Sequence, residues 1–180
     1  MIENKPSIYN APSIYNQGGG GGGGGSSDIE GHIYPVIDIG YGTEFLGEPL
    51  QFIPKNNNFS YRSALDTHLF YNGHDVDYLD NYFSAPDSWR VPDENDLTHL
   101  KQYLDSNSII MNSDPDFGSP RYYIDNNNHL QTAGEAYVWS KINNGKTYFL
   151  RLLVNQQYVI INTAPYNGAK FLVYLCRDKQ

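Results

Sequence analysis

Along residues 28–180 the apolar positions come in short runs cut by glycine, asparagine and proline. In residues 32–54, Ile33, Val36, Ile37, Ile39, Phe45 and Leu46 fall around Gly40, Gly42 and Gly47, which predicts two short strands joined by glycine turns. Residues 56–59 read as a loop. Residues 63–71 predict a short helix with Leu65, Leu69 and Phe70 as its apolar stripe, and residues 75–83 a second with Val76, Leu79 and Phe83 on one face. The fullest helical signal lies in residues 88–104. Asp93 is a good N-cap, Asp96 stands three residues on as in a capping box, and Glu94 and Asp96 suit the positive end of the helix dipole. Leu97, Leu100 and Leu104 then recur at helical spacing, bracketed by Pro92 and Asn107. Residues 105–135 read as one long loop, a length usually kept for function or for a feature of the fold. Four strands are expected at the end, over 136–140, 147–154, 158–162 and 171–177, with hairpin turns at Asn143-Asn144-Gly145 and Asn155-Gln156-Gln157 and a further turn over 165–169.

The first residues obey another logic. Pro6-Ser7-Ile8-Tyr9-Asn10 is repeated as Pro12-Ser13-Ile14-Tyr15-Asn16, and eight glycines fill positions 18–25. Each proline fixes its own φ and biases the residue before it toward extended backbone, and Ile and Tyr favour the same region. Each copy therefore reads as a short extended segment displaying one aliphatic and one aromatic side chain, too small to fold alone. A glycine-rich linker over residues 18–27 reaches about 15–20 Å and uncouples the repeat from the rest of the chain. Three parts result: an extended docking arm over 1–17, a Gly/Ser linker over 18–27 and a folded body over 28–180. A tail without a role is the alternative for the arm. Against it stand Ile and Tyr, which are uncommon in tails, and the repetition, which suits two copies of one contact and a raised effective concentration.

Composition narrows the function classes. Sixteen tyrosines and eight phenylalanines argue for a folded body, because disordered chains are poor in aromatics. A net charge of −8 with only 12 scattered basic residues argues against nucleic acid and anionic membrane as partners. The single cysteine, Cys176, permits neither an intrachain disulfide nor a cysteine-based zinc site, and reads as a small buried hydrophobe. No apolar run suits a signal peptide or a membrane helix, so the expectation is a product that stays in the cytoplasm or leaves by a route other than secretion, such as lysis.

Three pieces of the body carry a resemblance: Ser88-Trp89-Arg90-Val91-Pro92 opening the helix, Tyr137-Val138-Trp139-Ser140, and Tyr174-Leu175-Cys176-Arg177-Asp178. In order and spacing, over about residues 37–178, and with the opening Ile39-Gly40-Tyr41-Gly42-Thr43, the body resembles the C-type lectin-like domains of the Fibrobacter succinogenes major paralogous family. The resemblance implies an α+β C-type lectin-like fold, with small antiparallel sheets, one or two short helices and long ordered loops. It also places Trp89 and Trp139 in framework positions rather than on a binding surface. Two departures matter. Residues 81–86 lack the further cysteines that family members often carry, and the Glu-Pro-Asn and Trp-Asn-Asp signatures of calcium-dependent sugar binding are missing, with Glu48-Pro49 in the wrong region. The arm has its own resemblance. Pro-Ser-Ile-Tyr-Asn followed by polyglycine is similar to the N-termini of virion proteins in crAss-like and related Bacteroidetes phages, which include the fibres that decorate the head.

Catalytic constellations are thin. His68 and His74 lie near Asp75, Asp77 and Asp80, but no spacing matches a known metal motif, and a solvated acidic face explains them. Asp114-Pro115-Asp116 reads as turn chemistry, and the glycine run lacks the Gly-Lys-Ser/Thr ending of a phosphate loop. No catalytic residue, metal or cofactor is expected. The expected sites are instead the virion anchor at Pro6, Ser7, Ile8, Tyr9, Asn10, Pro12, Ser13, Ile14, Tyr15 and Asn16, and an outer contact loop at Tyr122, Tyr123, Asn126 and Asn127. Tyr and Asn are what adaptable recognition loops use. The resemblances imply a phage virion structural protein, a head fibre or capsid decoration subunit. It would be held to capsid or other head fibre proteins by the arm and be homo-oligomeric as a dimer or trimer. The alternatives are a host-receptor adhesin binding a glycan or protein at a tail or fibre tip, and a metal-assisted hydrolase built on the residue 68–80 cluster.

Overall fold

In the computed structural model, positive-φ residues set the turns that the glycine and asparagine pattern anticipates. Asn144 (φ 50°) and Gly145 (φ 70°) form a two-residue turn closed by reciprocal bonds between Asn143 and Lys146 at 2.8 and 3.0 Å. Positive φ at both central positions marks a type I′ hairpin, whose twist matches its strands. The structure describes residues 25–52, 61–62, 68–83, 89–109, 123–125, 127, 129–131, 137–153, 157–164 and 168–179.

The elements run β1 (Ser26–Ile29), β2 (His32–Asp38), β3 (Thr43–Leu46), β4 (Tyr61–Arg62), β5 (Leu69–Phe70), α1 (Gly73–Tyr82), α2 (Glu94–Ser106), β6 (Tyr123–Ile124), β7 (Leu130–Gln131), β8 (Tyr137–Trp139), β9 (Thr147–Leu152), β10 (Tyr158–Thr163) and β11 (Cys176–Asp178). They make an α+β fold of small antiparallel sheets: a four-stranded sheet β1-β2-β3-β11, a three-stranded sheet β10-β9-β8, and the pairs β4-β5 and β6-β7.

Residues 171–176 run through the middle. Phe171, Val173 and Leu175 enter one apolar core, and Leu172, Tyr174 and Cys176 enter a second on the opposite side. A segment buried on both sides must read as an unbroken apolar run, as Phe-Leu-Val-Tyr-Leu-Cys does. The same alternation divides Trp139 from Val138, Phe149 from Leu150 and Val36 from Ile37. Helix α1 closes the first core with Val76 and Leu79, and α2 closes the second with Leu97, Leu100 and Leu104. Both helices start on capping boxes, Asn72 with Asp75 and Asp93 with Asp96.

Four expectations change. Ser26 and Ser27, read as linker, belong to β1, because Val36 N–H bonds Gly25 O at 2.9 Å and the ladder begins there. The helix expected over 63–71 gives way at its C-terminal end to β5. Leu69, Phe70 and Tyr71 alternate between the two cores, and Tyr71 bridges Phe171, so tertiary pairing overrides the helical spacing; residues 63–67 lie outside the described residues. The loop expected over 105–135 opens with the last two residues of α2, Asp105 and Ser106, and contains the β6-β7 pair, while its residues 110–122, 126, 128 and 132–135 lie outside the described residues. The strand expected over 171–177 is a ladder only at β11. Upstream, Lys170, Phe171 and Leu172 make single bridges to Ile124, Tyr71 and Val138 in turn. The turn residues 56–59, 154–156 and 165–167 lie outside the described residues.

Candidate functional site

The Trp-Arg-Val-Pro segment and the C-terminal strand, far apart in sequence, meet at the start of α2. Arg90 and Cys176 exchange backbone bonds of 2.8 and 2.9 Å. The Arg90 guanidinium forks onto Asp96, with Nη2 to Oδ1 at 3.0 Å and Nη1 to Oδ2, and it also donates to Asp178 Oδ1 at 2.9 Å and Cys176 Sγ at 3.1 Å. Arg177 lies over the Trp89 ring at 4.6 Å and donates to Glu44 Oε2 at 2.7 Å, while Trp89 Nε1 donates to Ser27 Oγ at 2.8 Å. Burial pulls the Asp96 carboxyl upward, but the Arg90 bonds and the Asp93 N–H together outweigh it and hold Asp96 below the usual carboxylate range. Burial pushes the Cys176 thiol well up, so it stays neutral and suits packing, not nucleophilic attack. This junction is a structural clasp. Sequence spacing pointed to Asp96 only as a capping residue. Its second duty toward Arg90 comes from the short Asp side chain at the third helical position, whose Oδ2 accepts from both the Asp93 N–H and Arg90 Nη1 while Oδ1 accepts from Arg90 Nη2.

The expected outer loop divides. Tyr123 packs its ring inward: it is half-buried, 4.4 Å from the Tyr137 ring and 5.7 Å from Phe171, because β6 is drawn against the first core by the Ile124–Lys170 bridge. Asn127 is exposed, and its N–H donates to Asp125 Oδ1 at 2.9 Å. Asp125 also accepts from His129 N at 2.8 Å and Gln131 Nε2 at 2.7 Å, and these bonds, that of His129 foremost, hold its carboxyl below the ordinary value. Asp125 thus organises the turn, and Asn127 rides on it. Tyr122 and Asn126 lie outside the described residues, as do all ten anchor positions from Pro6 to Asn16.

Other surfaces were not foreseen. Tyr78 and Tyr82 stand 39% and 45% exposed on the outer face of α1, beside Phe52 and Phe83, and Tyr82 Oη donates to Glu30 at 2.5 Å. Tyr41 holds φ 55° between Gly40 and Gly42 and stacks flat on His99 at 4.7 Å. A cleft of about 210 Å³ between the start of α2 and the β8-β9 hairpin is lined by Asp93, Glu94, Lys141, Lys146 and Tyr148, among others. It is smaller than the roughly 300–1,000 Å³ of ordinary ligand pockets, and charges of both signs line it. Asp75, part of the acidic group near His68 and His74, is spent on the α1 cap, and among the described residues no three His, Cys, Asp or Glu side chains converge as metal ligands. Among the described residues no helix is long and apolar enough to cross a membrane.

No protein-family model matches the chain, and no curated protein or solved structure matches it.

Proposed function

We propose that this protein is a structural component of a phage virion, a head fibre or capsid decoration subunit with a C-type lectin-like body. Its arm, Pro6 to Asn16, docks on capsid or another fibre protein as extended segments that seat Ile and Tyr side chains in pockets. The observation that carries the reading is the duplicated Pro-Ser-Ile-Tyr-Asn peptide on an octaglycine tether, which feeds at Gly25 directly into the edge strand β1. A glycine-rich tether joined to a sheet edge lets the body project while two short motifs hold the particle. Support for the body comes from the clasp. The Trp-Arg-Val-Pro and Cys-Arg-Asp pieces that carry the family resemblance touch one another through Arg90, Cys176, Asp178 and the Arg177–Trp89 stack. The role needs no catalysis, cofactor or metal, and it locates the protein on the virion.

Deleting residues 1–17 is expected to leave a folded body that no longer attaches to its particle. The check is a pull-down from a phage lysate with full-length and truncated protein. Recovery of capsid or fibre proteins by the full-length chain alone supports the anchor. Equal recovery by both, or by neither, removes the arm as the attachment device and brings forward receptor binding by the body.

A further inference from the structure

Strand β10 (Tyr158–Thr163) is an outer strand of the β10-β9-β8 sheet. Its hydrogen-bond phase is fixed by the bond from Leu153 N to Gln157 O at 2.8 Å, together with the register Val159 opposite Arg151 and Ile161 opposite Phe149. In an antiparallel ladder the bonded pairs alternate, so Val159 and Ile161 spend their backbone groups on β9, and Ile160 and Asn162 turn theirs outward. Among the described residues nothing bonds the backbone of Ile160 or Asn162 on that side. The far edge of the same sheet is closed, since Trp139 N bonds Leu172 O at 2.9 Å and Leu172 N bonds Tyr137 O at 3.0 Å.

We propose that the β10 edge is the interface between two copies of this chain, which pair antiparallel about a two-fold axis at Ile161 and merge their three-stranded sheets. The open groups dictate the register. With Ile161 opposite Ile161 of the second copy, Ile160 lies opposite Asn162 of the second copy. The symmetry then satisfies the outward N–H and C=O of both residues reciprocally. Charge selects this surface. The chain carries −8, so two copies repel on approach, but Tyr-Val-Ile-Ile-Asn-Thr has neither a charge nor a proline. Proteins ordinarily blunt an open edge with one or the other. The open edge of β1 shows the contrast: it is four residues long, and its outward backbone positions are Ser26 and Asp28, so self-pairing there would bring carboxylates together. The β10 assignment names an interface for the homo-oligomer that the resemblances imply, and it rests on no other part of the proposed function.

The test uses the full-length chain, with mass by light scattering over a concentration series. The parent chain is expected to be a dimer. Ile161→Lys and Ile161→Glu are each expected to run as monomers, because like charges would face each other on the axis, and an equimolar mixture of the two should recover the dimer. A variant that has only lost its fold is not rescued by mixing. Asn162→Pro removes an outward donor and leaves the β9 ladder intact, and it too should be monomeric with an unchanged circular dichroism spectrum. A monomeric parent chain, a dimer that survives Asn162→Pro, or monomer variants that fail to recombine overturn the proposal. So does loss of the dimer in Ile8→Asp/Ile14→Asp, which would make the neighbour's arm the occupant of the edge. Particle capture is read separately: a monomeric variant still recovered with the particle leaves the anchor standing, and a dimer that does not attach leaves the edge assignment standing.

Discussion

Trp139→Ala is expected to lower stability by about 3–5 kcal/mol, the range for removing a fully buried large aromatic. The side chain is fully buried in the first core, its ring 4.4 Å from Phe171 and edge-on to Phe149 at 6.2 Å. Its Nε1–H donates to Tyr71 O at 2.7 Å. Alanine leaves a void where the β8-β9 sheet, the central run and the Tyr71 bridge converge, and the backbone bonds on either side of Trp139 limit collapse into it. Trp139→Phe isolates the polar share. Tyr71 O keeps its second donor, Phe171 N at 3.0 Å, so no acceptor is orphaned and the loss should be about 1 kcal/mol plus a smaller packing deficit. Urea unfolding reads both variants as midpoint shifts at constant slope. An alanine variant within about 1 kcal/mol of the parent chain would show that the ring is not the hub of this core.

Much of this arrangement was legible because it is local. The Asp93–Asp96 box and the Leu97-Leu100-Leu104 stripe give α2 with its start correct and its end two residues short, at Leu104 instead of Ser106, and Asn144-Gly145 gives a hairpin, since each signal acts within a few residues. Helix α1 starts two residues earlier than expected, because Asn72 caps it and Asp75 is the third helical residue rather than the first. The illegible part is long-range. Leu69 and Phe70 carry a spacing that fits a helix or a strand, and only the Tyr71–Phe171 bridge decides for the strand. Strand β1 is invisible in Ser-Ser-Asp-Ile because its partner, not its composition, makes it a strand. Tyr123 looked like a recognition residue by type, and its neighbours Tyr137 and Phe171 claim it for the core. The anchor rests on a repeat that a sequence displays directly, whereas the β10 edge needs a hydrogen-bond phase that no sequence prints.

Arg90→Leu is expected to cost about 2–4 kcal/mol near neutral pH, slightly under the range for a fully buried pair because the guanidinium keeps some contact with water. Leucine leaves Asp96 buried at 5% exposure with the Asp93 N–H and the weak Cys176 thiol as its remaining donors in the clasp, and it also strips the Arg90 bonds to Asp178 and Cys176. The pH dependence separates this account from a loss of packing. In the parent chain the folded-state pKa of Asp96 is depressed, chiefly by Arg90 working against burial. Its contribution is therefore fully present above the unfolded carboxylate value of about 3.9 and is lost as pH falls through the lower folded value. With Arg90 gone, burial, the largest influence on Asp96, is left opposed mainly by the Asp93 N–H, and the folded pKa rises above the unfolded one. The folded variant then binds the proton more tightly than the unfolded chain, so its stability should increase as pH is lowered from 7 toward 5. The gap between parent and variant should narrow over that interval in paired urea titrations. A gap that stays constant from pH 7 to 5 would mean that Asp96 finds another donor in the variant, and that the clasp is held by the Arg90–Cys176 backbone bridge rather than by its charges.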